Sequence, residues 1–157
     1  FKLMKEKNIE INCYQCDESI VKSIALLLTK IIEEKKRAFI LLDTENQESA
    51  KQQAKDIDEG LWSFGKTKFI GHSTIFDKDF NPERQPVLIS NQEENINNSD
   101  YLILTTKTTT NFISKFEKAC YFYNEDSNYS LKIISQLKEV AGKFNSYKKF
   151  QGKWIEK

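Results

Sequence analysis

The fold of this chain is decided by residues 8–42, which have the sequence NIEINCYQCDESIVKSIALLLTKIIEEKKRAFILL. Apolar and polar residues alternate over 8–14, which is typical of a strand with one buried face. Over 20–32 the apolar residues recur every three or four positions, which predicts an amphipathic helix. The run at 38–42 is short and wholly apolar, so it predicts a strand buried on both faces. A strand, a helix and a strand in this order predict two parallel strands joined by a right-handed crossover.

Strands and helices continue to alternate along the rest of the chain. A second helix is predicted to begin near Asp43 and to end near Gly60, and residues 72–85 are predicted to form a long surface loop. A last amphipathic helix is predicted over 128–144. The other predicted elements are strands at 87–90, 101–105 and 119–123 and a short helix at 111–118. These elements predict an α/β domain of three layers around a mostly parallel central sheet.

Length and composition favour one domain without a membrane anchor. A chain of 157 residues has about the length of one domain, and 39% hydrophobic residues with 12% aromatic residues are enough to form a core. No apolar stretch approaches the roughly 20 residues of a membrane span, so the cytoplasm is the expected compartment. Met4 follows three residues that we interpret as a cloning remnant, 1–3, which leaves 4–157 as the single domain.

The composition argues against several classes of function. Twenty-four Lys and Arg residues against 23 Asp and Glu residues leave a net charge of +1, which does not suit a domain that binds nucleic-acid phosphates over its whole surface. His72 is the single histidine, which excludes zinc sites built on two histidines. The chain has no G-x-x-x-x-G-K-[ST], G-x-G-x-x-G or G-x-S-x-G motif. We therefore expect no catalytic activity, no cofactor and no bound metal.

Two of the three cysteines leave an enzymatic alternative open. Cys13 and Cys16 form a C-x-x-C motif between the first strand and the first helix, where a helix N-terminus lowers a thiol pKa. This pattern is compatible with a thioredoxin-like thiol oxidoreductase. The odd number of cysteines does not suit a secreted disulfide framework, and no second pair of cysteines completes a zinc site.

An aromatic group follows the second predicted helix. It comprises Trp62, Phe64 and Phe69, with Leu61 beside them. Large aromatic side chains are favoured both as anchors of protein interfaces and as core residues. The sequence therefore predicts either a docking surface or a part of the core, and we expect the docking surface around Trp62.

The C-terminal segment is locally basic. Residues 130–157 carry seven lysines against two glutamates, a local charge of +5. If the last helix is regular, Lys132, Gln136 and Lys143 lie on one side of its apolar stripe and Lys138 lies on the opposite flank. Such a face either binds an acidic ligand or is simply solvated, as most charged helix faces are.

Several segments, taken in order, resemble one protein family, the chi subunit of the bacterial DNA polymerase III holoenzyme, an accessory protein of the clamp loader. The resemblance spans essentially the whole chain, and its most specific part is I-D-E-G-L-W at 57–62 with Phe69 and His72 at the family's spacing. The other segments are Q-P-V-L-I at 85–89, Q-E-E-N at 92–95, Y-N-E-D at 123–126 and G-K-W at 152–154. The segments at 85–89 and 92–95 resemble the alphaproteobacterial branch of the family.

The resemblance implies a Rossmann-like α/β fold without nucleotide chemistry. It also implies binding of the acidic, Phe-terminated C-terminal tail of single-stranded-DNA-binding protein, so that the chain contacts DNA only indirectly. Basic residues of the last helix and an adjoining apolar pocket would hold this tail. The matching positions are Lys132 and Lys143, with Lys138 as a further candidate, and Gln136 stands where the family commonly has an arginine.

The resemblance implies a second docking face as well. Trp62 and Phe69 match the positions through which the family binds the psi subunit or a helicase partner active in repair. We therefore expect a non-catalytic accessory subunit of DNA polymerase III that links the clamp loader to single-stranded-DNA-binding protein during DNA replication. The alternatives are the thiol oxidoreductase and an α/β interaction module with neither partner.

Overall fold

The computed structural model describes residues 9–64, 72–77, 81 and 85–157, which form eight strands and four helices. The strands are β1 (Glu10–Gln15), β2 (Ala38–Leu41), β3 (His72–Thr74), β4 (Val87–Ser90), β5 (Tyr101–Leu104), β6 (Lys118–Tyr123), β7 (Lys143–Phe150) and β8 (Lys153–Glu156). The helices are α1 (Ile20–Glu33), α2 (Gln47–Phe64), α3 (Thr110–Ile113) and α4 (Asn128–Val140). Residues 1–8 lie outside the described part, so the assignment of 1–3 as a remnant and of 4–157 as one domain stays a prediction.

All eight strands belong to one sheet, whose order is β3-β4-β2-β5-β6-β1-β7-β8. Every neighbouring pair is parallel except β7 and β8, which are antiparallel. In β2, β4 and β5 every residue is buried, as expected for central parallel strands covered on both faces. The prediction of a mostly parallel sheet is confirmed.

Helices cover both faces of this sheet. Leu28 of α1 and Ile57 of α2 belong to the same core cluster as Ile40 of β2, while Leu137 of α4 packs in a second cluster with Phe39 of the same strand. Because successive residues of a strand point to opposite faces, α1 and α2 cover one face and α3 and α4 cover the other. The expected three-layer α/β architecture is therefore confirmed. Among the described helices, none is both long and apolar enough to cross a bilayer.

Three predictions for the middle of the chain are wrong. Helix α2 continues beyond Gly60 to Phe64, because Ile57 and Leu61 are buried one turn apart and their burial outweighs the ~1 kcal/mol cost of a glycine inside a helix. The predicted loop at 72–85 begins with an edge strand, since β3 pairs in parallel with β4. The short helix predicted at 111–118 is limited to α3, because the strand β6 begins at Lys118.

The predicted end of the last helix is also wrong. Helix α4 ends at Val140, because Ala141 adopts an extended backbone with ψ 137° and the N–H of Gly142 donates to the carbonyl oxygen of Ile9 at 2.9 Å. The chain then pairs with β1 as the strand β7, whose first residue is Lys143. A tight turn follows, in which Gln151 and Gly152 both have positive φ (49° and 78°), as in the type I′ turns that favour β-hairpins.

Candidate functional site

The start of α4 is fixed by a capping box. The hydroxyl of Ser127 accepts a hydrogen bond from the backbone N–H of Ser130 (3.1 Å), and the hydroxyl of Ser130 accepts one from the N–H of Ser127 (2.8 Å). The hydroxyl of Ser130 also donates to the carbonyl oxygen of Glu125 at 2.8 Å. Below this cap, Ile133 and Leu137 are buried against the sheet. These contacts fix the rotation of α4 about its own axis. They therefore determine which of its polar side chains face the segment that follows β5.

A cavity of about 270 Å³ lies between α4 and the segment that follows β5. Its apolar lining consists of Leu104, Ile113, Ile133, Leu137 and Val140. Its polar lining consists of Thr106, Lys107, Thr108, Thr109, Thr110, Gln136 and Glu139. An apolar cavity of roughly 150 Å³ holds a benzene molecule, so this space is large enough for one aromatic ring. The site therefore combines an apolar floor with a rim of hydrogen-bonding groups.

The threonine-rich rim, residues 106–110, is held in place by one carboxylate. Oε1 of Glu93 accepts from the hydroxyl of Thr108 (3.0 Å) and from the N–H of Thr109 (3.1 Å), and Oε2 accepts from the hydroxyl of Thr109 (2.8 Å). At the start of the rim, the hydroxyls of Thr106 and Tyr129 lie 3.0 Å apart. The rim is therefore tied both to the 92–95 turn and to the first turn of α4.

The four residues predicted to bind an acidic ligand do not share one surface. Lys132 and Gln136 are exposed one turn apart on the same flank of α4, and Gln136 lines the cavity. Lys138 lies on the opposite flank, as predicted, with its Nζ 5.5 Å from the ring centroid of Phe144. The prediction that Lys143 shares the helix face of Lys132 is wrong, because the helix ends before it. Instead Nζ of Lys143 lies 4.0 Å from Oε1 of Glu10, at the start of β7.

The cavity also has a cation that was not predicted from the sequence. Lys107 lines the cavity from the rim, and its Nζ lies 2.7 Å from Oε1 of Glu45, which precedes α2. This hydrogen bond raises the pKa of Lys107. A signal was available, because Lys107 closely follows a buried parallel strand and ligands of such sheets bind outside the carboxyl ends of the strands.

The aromatic residue of the second candidate surface is exposed. The side chain of Trp62 is 62% exposed, although its neighbour Leu61 is 2% exposed. Its indole ring meets the edge of the His72 ring, with centroids 5.9 Å apart, and Nε2 of His72 in turn contacts Oδ1 of Asp58. The structure therefore places Trp62 outside the core. Phe69, the other residue predicted for this surface, lies outside the described residues.

The two cysteines of the C-x-x-C motif do not form a dithiol site. Cys13 packs in the core cluster on the α4 side of the sheet, whereas Cys16 packs in the cluster on the α1 side. Residues three positions apart at a strand point to opposite faces, which explains the separation. Burial raises the pKa of the Cys13 thiol to about 12 and also raises that of Cys16. These environments stabilise the neutral thiols, and the placement on opposite faces contradicts the paired dithiol that the thioredoxin-like alternative requires.

Within the part of the chain that the structure describes, no three His, Cys, Asp or Glu side chains converge as metal ligands. His72, the single histidine of the chain, contacts the carboxylate of Asp58 in the C-terminal half of α2. The cavity beside α4 offers hydroxyl, amide and ammonium groups and the carboxylate of Glu139 around an apolar floor. This arrangement suits the binding of an acidic group attached to an apolar side chain.

Comparison with known proteins matches residues 10–134 to the family model described as DNA polymerase III chi subunit, HolC. A curated relative, a probable DNA polymerase III subunit chi from Rickettsia prowazekii (strain Madrid E), is 23% identical over 131 residues, which cover 83% of this chain and 74% of the relative. The family match includes Trp62, Lys107 and Lys132 and ends within α4, before Gln136.

Proposed function

Because this chain belongs to the DNA polymerase III chi subunit family, as the match over residues 10–134 shows, we propose that it links the replicase to single-stranded-DNA-binding protein. Family membership itself gives the chain an accessory role in DNA replication as a subunit of DNA polymerase III. The proposal adds that the cavity beside α4 binds the acidic, Phe-terminated C-terminal tail of single-stranded-DNA-binding protein. The clamp loader is the part of the holoenzyme to which the chain would connect this tail.

The observation that carries the proposal is the cavity with an apolar floor next to Lys132 and Gln136. Its floor, which includes Ile133 and Leu137, can bury a terminal Phe ring, and a buried aromatic side chain contributes roughly 1.5–3 kcal/mol to binding. The ammonium group of Lys132 and the amide of Gln136 can donate hydrogen bonds to carboxylates of the tail. An apolar anchor and flanking acidic residues would thus be recognised by adjacent parts of one site.

The departure from the family pattern at Gln136 lowers the charge of this site. An amide donates hydrogen bonds to a carboxylate, but it lacks the full charge and the two-pronged donor geometry of an arginine. We therefore expect an affinity around micromolar that decreases as salt screens the exposed charges, over a Debye length of ~10 Å at 0.1 M.

Isothermal titration calorimetry with an acidic peptide that ends in Phe tests this proposal. Lys132→Glu should weaken binding by about three- to tenfold, because it replaces attraction with repulsion at an exposed site. The matched control is Lys138→Glu, which reverses an exposed charge on the opposite flank of the same helix and should have a smaller effect. A peptide without its terminal Phe should bind more weakly than the intact peptide. Equal binding of the two peptides, or equal effects of the two variants, would refute this site.

A second docking surface is proposed around Trp62, for the psi subunit or a helicase active in repair. The support is the exposure of the indole ring on a helix whose neighbouring residue Leu61 is buried. Exposed aromatic side chains on rigid elements are frequent anchors of protein interfaces. Tail binding beside α4 and partner docking at α2 would use opposite faces of the sheet, so both could occur at the same time.

We infer that the chain has no catalytic activity of its own and that polymerase activity belongs to other subunits of the holoenzyme. This inference is supported by the burial of both motif thiols on opposite faces of the sheet. Chromosome replication in bacteria takes place in the cytoplasm, which is where we propose that the chain acts.

A further inference from the structure

The rim of the cavity carries a cation that is already paired within the chain. Lys107 lies at the cavity, and its Nζ is 2.7 Å from Oε1 of Glu45. Both side chains are largely exposed, at 51% for Lys107 and 68% for Glu45. Glu45 belongs to the segment between β2 and α2, so the pair joins the ends of two adjacent parallel strands, β2 and β5.

An ion pair of this kind exchanges its anion readily. Exposed pairs contribute about 0.2–1 kcal/mol, because water screens the charges and holding two long side chains together costs entropy. A ligand carboxylate brought to the rim by other contacts can therefore displace the carboxylate of Glu45. The terminal carboxylate and the acidic residues of a peptide tail are groups of this chemistry.

Binding of a ligand carboxylate at the rim requires a positive charge there. Glu139 also lines the cavity, so the charges of Lys107 and Glu139 balance there. Gln136 contributes no charge, and Lys132 lies one turn before it in α4, outside the cavity lining. Among the described residues that line the cavity, Lys107 is thus the one lysine.

We propose that Lys107 is a specificity-determining residue of the acidic-tail site and that Glu45 acts as its internal competitor until the ligand binds. The proposal rests on the proposed function, since it assigns a further cation to the same site. On binding, the carboxylate of the peptide replaces Glu45 at the ammonium group, and Glu45 moves into solvent. The internal competitor weakens the complex and favours ligands that carry several carboxylates over ligands that carry one.

Fluorescence anisotropy with a labelled acidic peptide ending in Phe, at low salt, tests the exchange. Glu45→Gln should tighten binding by about two- to fivefold, and Lys107→Gln should weaken it by a similar factor. In the double variant the gain from Glu45→Gln should disappear, because there is no longer a cation for Glu45 to occupy.

The chain provides a matched control pair. Nζ of Lys36 lies 2.8 Å from Oε2 of Glu117, and the side chains are 38% and 61% exposed. Lys36 precedes β2 and Glu117 precedes β6. This pair therefore lies at the opposite end of the parallel strands from the cavity rim. Glu117→Gln removes the same charge as Glu45→Gln and should leave peptide binding unchanged.

The outcomes separate this inference from the proposed function. Absence of peptide binding by the unmodified chain would overturn the proposed function and, with it, the exchange. If the unmodified chain binds but Glu45→Gln has no effect, or has the same effect as Glu117→Gln, the exchange is refuted while the site stands. A gain that persists in the double variant would also refute it, because Glu45 would then act by general repulsion and not through Lys107.

Discussion

Nε2 of His72 lies 2.5 Å from Oδ1 of Asp58. Asp58 is on α2 and His72 is the first residue of β3, so the contact joins the C-terminal half of the helix to the edge of the sheet. The imidazole is 5% exposed and also meets the ring of Trp62 edge-on. The D-E-G-L-W segment and the histidine that follows it, which belong together in the family pattern, are thus in direct contact around Trp62.

Replacement of Trp62 should separate docking from stability. Trp62→Ala should lower the free energy of unfolding by less than about 1 kcal/mol, because the indole is 62% exposed. The same variant should lose its partner in a pull-down with the psi subunit or the helicase. Thermal denaturation and the pull-down are the two measurements. A loss of several kcal/mol would identify Trp62 as a core residue and would contradict the docking surface.

Replacement of Asp58 should cost stability. Asp58→Ala removes a hydrogen-bond partner of a buried imidazole, and the free energy of unfolding should fall by about 1–2 kcal/mol. Urea denaturation measures the change. Asp56→Ala is the control, since Asp56 is exposed on the same helix and accepts a hydrogen bond from the exposed Gln52. Equal losses for the two variants would show that the contact with His72 contributes nothing.

Replacement of Asn97 should be among the most destabilising changes in a loop. Its side chain is fully buried, and its amide nitrogen donates to the carbonyl oxygens of Gln85 (3.1 Å) and Ala38 (3.3 Å). Asn97→Ala would leave buried acceptors without these donors, so chemical denaturation should show a loss of about 1–3 kcal/mol. Asn111→Ala, at an exposed position, should change stability by less than about 0.5 kcal/mol. A loss no larger than this control would mean that water replaces the amide.

Removal of Glu93 should loosen the rim of the cavity. Glu93→Ala deletes the three hydrogen bonds to Thr108 and Thr109, so calorimetry should show weaker binding of the acidic peptide, by about three- to tenfold. Glu94→Ala removes the same charge from the exposed neighbour and should not weaken binding. Weakening by both variants, or by neither, would contradict a positioning role for Glu93.

The thiols should be unreactive in the folded chain. Burial raises the pKa of Cys13 and of Cys120 to about 12, from an ordinary value near 9.0. A thiol reagent at pH 8 should therefore label the native chain slowly and the denatured chain fast. Because the folded pKa is higher, the contribution of the thiols to stability is complete below pH 9 and is lost as the pH rises towards 12. Rapid labelling of the native chain near neutral pH would revive the oxidoreductase alternative.

The parts of the fold that depend on local periodicity could be predicted. The spacing of apolar residues in 8–42 correctly indicates β1, α1 and β2. Burial of one or two faces of an element requires apolar residues at a characteristic period. The separation of Cys13 and Cys16 onto opposite faces could also have been deduced from a period of two. The short edge strand β3 could not, since three residues become a strand only by pairing with β4.

The end of α4 and the cavity depend on distant partners. Phe144 continues the helical stripe of Val140, so the local pattern extends the helix, but the bond from Gly142 to Ile9 and pairing with β1 make the segment a strand. The cavity rim likewise results from the contacts of Glu93 with residues about 15 positions later. Such long-range contacts leave no periodic signal.

The hairpin turn at Gln151 and Gly152 has a consequence for self-association. Without β8, the eight-residue strand β7 would end the parallel sheet with a row of open backbone donors and acceptors, which is a template for uncontrolled pairing with other chains. The turn places a strand of four residues, from Lys153 to Glu156, along the second half of that row, Tyr147–Phe150. Short, charged edge strands discourage the addition of further strands. Strand β8 thereby protects the part of the edge that it covers against aggregation.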